Sequence, residues 1–330
     1  MASRDTPPRK RLRVGFLLAD GFTLSAFANF VDVLRLAADE ADKSRPILCD
    51  WEVLSERLET VRSSCGVRVQ PDRRLREAGR YDYLVVVGGV MRDEAMLDAE
   101  AVGFLQRAAA AGAPLIGLCT GVFILQDAGL LKGYRCCVSW FHHQDFVDRF
   151  DSARPVSDQI FVVDRDRLTC SGGHSAAHLA AFLVSRHIGA SAAVKSLNIM
   201  MIDDPLSGER PQPGPQFAHR PNDALVKRAV LRMQQNIETP LSVDQIAEGL
   251  EVGRRTLERR FLGDLGRTPH QVYLDLRLDQ VLHKLRSTAL PITDIAHCCG
   301  FCDAPHLTRT LRRQRGITPA DYRRAQSAAA

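Results

Sequence analysis

The sequence predicts two folds in one chain: a doubly wound α/β domain with a parallel sheet, then an all-α domain with two helix-turn-helix units. Three observations predict it. Between residues 11 and 202, nearly continuous apolar runs alternate with helical periods, as strands buried on both faces alternate with covering helices. Across residues 203–221 the composition turns to Pro205, Pro211, Pro213, Pro215 and Pro221 with Ser, Gly and Gln between them, which builds no core and reads as a linker. From residue 222 to 330 the chain carries an internal repeat with a period of about fifty residues. Residues 1–10, polar and basic, read as a disordered tail.

In chain order, Arg13-Val14-Gly15-Phe16-Leu17-Leu18-Ala19 is the first buried strand, and residues 23–38 follow as an amphipathic helix. Leu84-Val85-Val86-Val87 ends at Gly88-Gly89. Pro114-Leu115-Ile116-Gly117-Leu118 ends at Cys119. Leu168-Thr169-Cys170-Ser171 ends at Gly172-Gly173 and leads into a helix over 174–187. Ligands of such sheets collect beyond the strand C-termini, so these three ends mark the expected cleft. Within it, Gly117-Leu118-Cys119-Thr120-Gly121 precedes a helix over 122–128. A sharp strand-to-helix turn lifts its central side chain above the sheet edge beside a helix N-terminus, where thiols react most readily. Gly88 and Gly89 are expected to turn backbone N–H donors toward the same point. Asp32, Gly88, Gly89, Cys119, Trp140, His142 and His174 are the candidate ligand-binding residues, with Trp140 a candidate aromatic wall. Cys119 itself is open to three readings: a small packed residue, a pocket wall, or a thiol that senses oxidants. The histidines are also open to ordinary core or surface roles.

The repeat sets Leu257-x-Arg259-x-Phe261 and, four residues on, Gly266-x-Thr268-Pro269 against Leu307-x-Arg309-x-Leu311 and Gly316-x-Thr318-Pro319. Upstream, Leu241, Ile246 and Ala247 match Leu290, Ile295 and Ala296. Each copy reads as a short apolar-faced helix, a tight turn and a second short helix bearing arginine, the arrangement that inserts its second helix into a DNA major groove. Ser242 with Gln245 forms a capping box, and Ile246, Ala247 and Leu250 share one face. The helix over 254–264 buries Leu257, Phe261 and Leu265 and leaves Arg254, Arg255, Glu258 and Arg259 outward. In the second copy Asp303 is the N-cap, Pro305 suits the first turn, and Arg309, Arg312, Arg313 and Arg315 follow with no acid among them. Between the copies, residues 270–286 form one helix of about 25 Å, long enough to hold two recognition helices about one DNA turn, or about 34 Å, apart. Cys299, in the Cys298-Cys299-Cys302 cluster, falls where the second unit needs a small core residue; packing is favoured over a zinc site, and no metal or cofactor is expected.

Charge supports a polyanion partner. Residues 222–330 hold 17 Lys and Arg against 12 Asp and Glu, while residues 1–221 hold 27 of each, so the formal +5 of the chain lies wholly on the repeat. No run of eighteen apolar residues exists to span a membrane, the N-terminus lacks the apolar core of a secretion signal, and nine irregularly spaced cysteines fit a reducing compartment. The cytoplasm is the expected location.

Two resemblances follow from these motifs. Residues 222–324, through Ile295-Ala296-x-x-x-Gly300-Phe301 and Gly316-Ile317-Thr318-Pro319-x-x-Tyr322-Arg323, resemble the DNA-binding domain of AraC/XylS-family regulators. The resemblance implies that Arg255, Thr256, Glu258 and Arg259 of the first unit, and Ala304, His306, Thr308 and Arg309 of the second, face bases or phosphates of promoter DNA. Arg254, Arg312 and Arg313 are added as flanking contacts. Roughly residues 12–200, through Gly121-Val122-Phe123 to Gly129-Leu130-Leu131-x-Gly133, resemble the ThiJ/PfpI branch of class-I glutamine-amidotransferase-like proteins, which implies a flavodoxin-like fold. Together they resemble bacterial regulators that sense small metabolites such as amino acids or quaternary amines. Enzymes of this superfamily pair the elbow cysteine with an acid from the first helix and often a histidine. Here Ala26 stands where related isocyanide hydratases carry aspartate, Ser139 stands before Trp140 where many relatives have histidine, and Asp32 matches a common glutamate. The expectation is therefore a catalytically degenerate sensor in a ligand-responsive regulator, an activator of a catabolic operon. A small-molecule effector, RNA polymerase and a second copy of the chain are its further partners. A thiol-dependent hydratase or hydrolase, and a Cys119 redox sensor, are the alternatives.

Overall fold

The computed structural model describes residues 11–41, 43–77, 80–91, 96–150, 155–213, 221–288 and 290–328. The tail expected over 1–10 and the linker residues 214–220 lie outside them. The chain divides after Gln212 into two compact units.

In the first unit the chain runs β1 (Leu12–Leu18), α1 (Leu24–Ala38), β2 (Cys49–Ser55), β3 (Val61–Arg62), β4 (Arg68–Val69), β5 (Arg73–Arg74), β6 (Tyr83–Val87), α2 (Ala99–Ala110), β7 (Leu115–Leu118), α3 (Gly121–Asp127), β8 (Cys136–Cys137), α4 (His143–Arg149), β9 (Pro155–Val156), β10 (Phe161–Asp164), β11 (Arg167–Cys170), α5 (Ser175–His187) and α6 (Ala190–Ile199). Seven strands form one sheet in the order β10-β11-β7-β6-β1-β2-β5, parallel throughout except for the β10–β11 hairpin. The doubly wound expectation is met. Alternation along β1 divides the two layers: Val14, Phe16 and Leu18 face a core with Phe30 and Val33 of α1, Leu183 of α5 and Leu197 of α6, while Leu17 faces Leu105 of α2, Phe123 of α3 and Phe146 of α4. β2 was not evident from the sequence, because Asp50 and Glu52 interrupt its apolar run; Glu52 is taken up by the Arg73 guanidinium and the Tyr81 hydroxyl.

The parallel register levels four strand ends. Leu18 pairs with Val87, Val87 with Leu118, and Leu118 with Cys170, so the next residues along, Ala19, Gly88, Cys119 and Ser171, make one rim. That rim leaves no space for side chains on its glycines. A Cβ on Gly89 would stand 2.0 Å from the Gly21 carbonyl oxygen, and one on Gly121 would stand 2.2 Å from that of Val86.

The segment expected as a linker from residue 203 departs from that reading. Its first part is built into the sheet unit: the Ile160 N–H donates to the carbonyls of both Gly208 and Arg210, at 3.0 Å each, and Gln212 is buried. Prolines deny this stretch a helix or a ladder of its own, but its carbonyls satisfy the Ile160 N–H, and the Gln212 amide satisfies the Val138 and Gln159 carbonyls and the Trp140 backbone N–H.

The second unit is helical throughout its described residues: α7 (Ala224–Gln235), α8 (Val243–Gly249), α9 (Arg254–Leu265), α10 (Pro269–Ser287), α11 (Ile292–Cys298), α12 (Ala304–Arg315) and α13 (Pro319–Ala328). Capping boxes at Ser242 and Thr268 and the Asp303 cap start α8, α10 and α12; left-handed Gly266 and Gly316 stop α9 and α12. Each repeat has its own core, one around Leu257 and Phe261, the other around Leu307 and Leu311 with Cys299. At 19 residues, about 28 Å at 1.5 Å per residue, α10 serves both, giving Tyr273 and Leu276 to the first core and Leu278, Val281 and Leu285 to the second.

Two glycine substitutions should separate close packing from helix propensity. Gly89→Ala forces its Cβ into backbone and should lower the thermal midpoint sharply or abolish soluble expression. Gly263→Ala, inside α9 with nothing within 4 Å of the added atom, should raise stability by about 1 kcal/mol, read in thermal or denaturant unfolding.

Candidate functional site

At the rim, the Cys119 N–H donates to the Cys170 carbonyl at 3.2 Å, so pairing continues one residue past β7 before the chain breaks into α3. Cys119 makes that break with φ of +56°, a left-handed conformation that L residues adopt only where the surroundings impose it. The surroundings are Thr120, whose hydroxyl donates to the Gly89 carbonyl at 3.0 Å, and Gly121, held against β6. The half-buried thiol then sits between two neighbours. The Thr23 hydroxyl is 3.4 Å from Sγ, and a Cβ on Gly172 would meet that sulfur at 3.1 Å. Asn29 closes this side by donating to the Gly173 carbonyl at 3.3 Å.

The other expected cleft residues are placed as follows. Gly88 does not offer its N–H to a ligand, because that group donates to the Leu118 carbonyl at 3.1 Å; the glycines serve close backbone approach. The Asp32 carboxylate accepts from Arg35 Nε at 3.1 Å along the same helix. The Trp140 ring packs edge-on against Phe141, which is 69% exposed, and the Trp140 backbone N–H donates to Gln212 Oε1 at 2.8 Å. His142 Nδ1 lies 2.9 Å from Asp145 Oδ2, with its ring against Phe123. His174 is exposed at the start of α5. Sequence reasoning missed Thr23 and Gln212. The helix-capping position of Thr23, directly before Leu24, was a legible signal; Gln212 gave none.

In the second unit, the candidate DNA-facing residues divide by what already holds them. Arg254 donates to Glu258 at 2.9 Å and to Asp244 at 3.0 Å, which occupies both Arg254 and Glu258. The Thr308 hydroxyl donates to the Ala304 carbonyl at 2.8 Å, and the His306 ring packs edge-on against Phe301. Thr256 and Ala304 are half-buried in the first turns of α9 and α12. Arg255, Arg259, Arg309, Arg312 and Arg313 are exposed, and none pairs with an acid among the described residues. On α12, Arg315 is tied down, by Asp279 at 2.9 Å and Asp275 at 3.4 Å.

Comparison with known proteins accords with both halves. Residues 12–186 match the DJ-1/PfpI family, and residues 246–325 match a helix-turn-helix domain family. The HTH-type transcriptional regulator GbdR of Pseudomonas aeruginosa is 33% identical over 324 residues, 97% of this chain and 87% of that protein. The regulator GlxA of Rhizobium meliloti is 27% identical over 327 residues, 98% of each chain. Among solved structures, an AraC family transcriptional regulator from Pseudomonas putida aligns with a TM-score of 0.50 at 28% identity, covering 57% of this chain and 99% of its own. A doubly wound sensor fold joined to paired helix-turn-helix units defines a ligand-responsive, DNA-binding transcriptional regulator. The chain belongs to the AraC-type regulators that carry a DJ-1/PfpI domain at their N-terminal side.

His143, at the start of α4, makes the fold's stability depend on pH. Its Nδ1 is 2.9 Å from the Ser157 hydroxyl, and burial pushes the imidazole down to about 4 against the opposing pull of Asp158. The unfolded chain takes up this proton near pH 6.5 and the folded chain only near 4, so stability is full above 6.5 and falls as pH drops between the two. The fall should be at most about 1.4 kcal/mol per pH unit, less for screening of this half-buried ring. His143→Gln should flatten that part of a stability–pH profile measured by denaturant unfolding.

Proposed function

We propose that a small-molecule effector binds at the rim around Cys119, and that α9 and α12 read two successive major grooves of promoter DNA. The observation that carries the DNA half is the set of exposed guanidinium groups at Arg255, Arg259, Arg309, Arg312 and Arg313, with no acidic partner among the described residues, on two helices that share one strut. A carboxylate already paired with an arginine competes with phosphate for that guanidinium; these five arginines have no such competitor among the described residues. Arg254, Glu258, Thr256, Ala304, His306 and Thr308 then act as flanking contacts rather than main anchors. The chain works as an activator of a catabolic operon, assembled as a homodimer in the cytoplasm and contacting RNA polymerase.

The rim acts as a binding site and not as a catalyst. A thiol needs a positioned base to turn over substrate. Here the side chain hydrogen-bonded to Sγ is the Thr23 hydroxyl, and among the described residues no carboxylate or imidazole is hydrogen-bonded to that sulfur. The effector is held among Cys119, Thr23, Trp140 and the Gly172-Gly173 turn, with Asp32, Gly88, Gly89, His142 and His174 framing the cleft.

Two measurements test this reading. Arg259→Ala and Arg309→Ala should each weaken binding to a duplex selected by the wild-type chain by about 1–3 kcal/mol. Each should also reduce the dependence of affinity on salt, whereas Arg254→Ala should do less. Unchanged affinity in both variants would refute the two-groove assignment. Turnover of nitriles, isocyanides, amides or glyoxals by the purified chain, lost in Cys119→Ala, would replace the sensor by a thiol enzyme; no turnover and unchanged DNA binding by Cys119→Ala are expected.

A further inference from the structure

Helix α9 carries two acids with different surroundings. Asp264, near its end, accepts the N–H groups of Asn222 and Asp223 at 3.0 and 3.1 Å. Glu258 lies on the outward face, three residues after Arg255 and next to Arg259, both exposed and without an acidic partner among the described residues. Its carboxylate is held by a chain of bonds that crosses the turn of the first repeat. Asp244, in the first turn of α8, accepts from Arg254 Nη1 at 3.0 Å, and Arg254 Nε donates to Glu258 Oε1 at 2.9 Å. The other oxygen, Oε2, has no partner among the described residues. The second repeat lacks all three groups. Aligned through Ile246 and Ile295 and through Leu257 and Leu307, the places of Asp244, Arg254 and Glu258 are taken by Thr293, Ala304 and Thr308. There the Thr308 hydroxyl closes on the Ala304 carbonyl at 2.8 Å, and α12 contains no acid. Ion pairs as exposed as those of Arg254 contribute little to folding, so their consequence lies in where they hold the carboxylate.

We propose that Glu258 is a specificity-determining residue that reads a cytosine in the major groove, and that Arg254 and Asp244 are positioning residues that hold it. The inference rests on the reading of α9 as a groove-reading helix and refines two of its flanking positions: Glu258 adds selectivity, and Arg254 acts through Glu258. An ionised carboxylate only accepts hydrogen bonds. Cytosine offers it the N4 amino group, whereas guanine and thymine oppose it with acceptors and adenine sets its donor beside the N7 acceptor, a pair that suits an amide. An acid in the groove is also repelled by phosphate; Arg254 on one oxygen, with Arg255 and Arg259 on the same helix, offsets that repulsion. Arg254 itself faces two carboxylates, so the trio is net negative and makes a poor phosphate anchor.

The test uses the full chain and a duplex selected from a random library by the wild-type protein, with affinity measured for every single base-pair substitution of that duplex. Glu258→Gln should alter preference at one C·G pair alone, where a wild-type discrimination of roughly 5- to 150-fold is lost or passes to adenine. Arg254→Met should weaken discrimination at that same pair, and Asp244→Asn should weaken it less. The salt dependence of affinity should stay as it is in all three variants, because no phosphate contact is removed. Base preferences left intact by Glu258→Gln, or altered only at a pair without cytosine at that place, overturn the proposal. So does an Arg254→Met chain that keeps every base preference while its salt slope falls by about 1, since Arg254 is then a phosphate contact. Failure of the wild-type chain to select any duplex is a separate result that removes the reading of α9 itself; intact selection with an indifferent Glu258 removes this inference alone.

Discussion

Contact between backbones at the strand ends is the constraint on which the first unit depends. Leu18, Val87, Leu118 and Cys170 finish level, and the turns that follow are pressed so close that Gly89 and Gly121 admit no Cβ. That crowding imposes φ of +56° on Cys119 and aims its side chain out of the sheet. Thr23 and Gly172 then meet the sulfur because α1 and α5 begin at the same rim. The site is thus a product of register: a slip of one residue along any of these strands would reverse its side chains and bury the thiol.

The polar groups of the first unit's rim and of α1 bond chiefly to the protein itself. The Gly88 N–H is engaged by Leu118, the Asp32 carboxylate by Arg35 and the Asn29 amide by Gly173.

Much of this was legible in the sequence, for identifiable reasons. β1, β6, β7 and β11 announce themselves because strands buried on both faces are written as apolar runs; β2 does not, because Glu52 sits within it as the partner of Arg73 and Tyr81. The repeat unit was read almost to the residue, since the Ser242 box, the Asp303 cap and the glycines at 266 and 316 are local signals that need no tertiary context. The site was less legible. Cys119 follows from its own motif, whereas Thr23 reaches it across 96 positions and Gln212 reaches Trp140 across 72. Contacts of that range are set by topology. Proline content made residues 203–221 read as a linker, yet Gly208, Arg210 and Gln212 pack into the first unit, because composition carries no information about which neighbour a structured coil will satisfy.

The two repeats are bound more closely than their separate cores suggest. Tyr273 and Arg277, one turn apart on α10, hold opposite copies: the tyrosine hydroxyl donates to the Asn236 carbonyl at 2.5 Å, ahead of the first unit, while the guanidinium spans the Cys299 and Gly300 carbonyls of the second and lies over Phe301. Gly300 in turn abuts Ile237 and Pro240 so tightly that no methyl group fits between them. Fraying of either copy therefore strips solvent protection from its neighbour. The pair should open to amide exchange as one cooperative block, and divergence that alters one copy is confined to its outward surface unless the opposing seam changes in step.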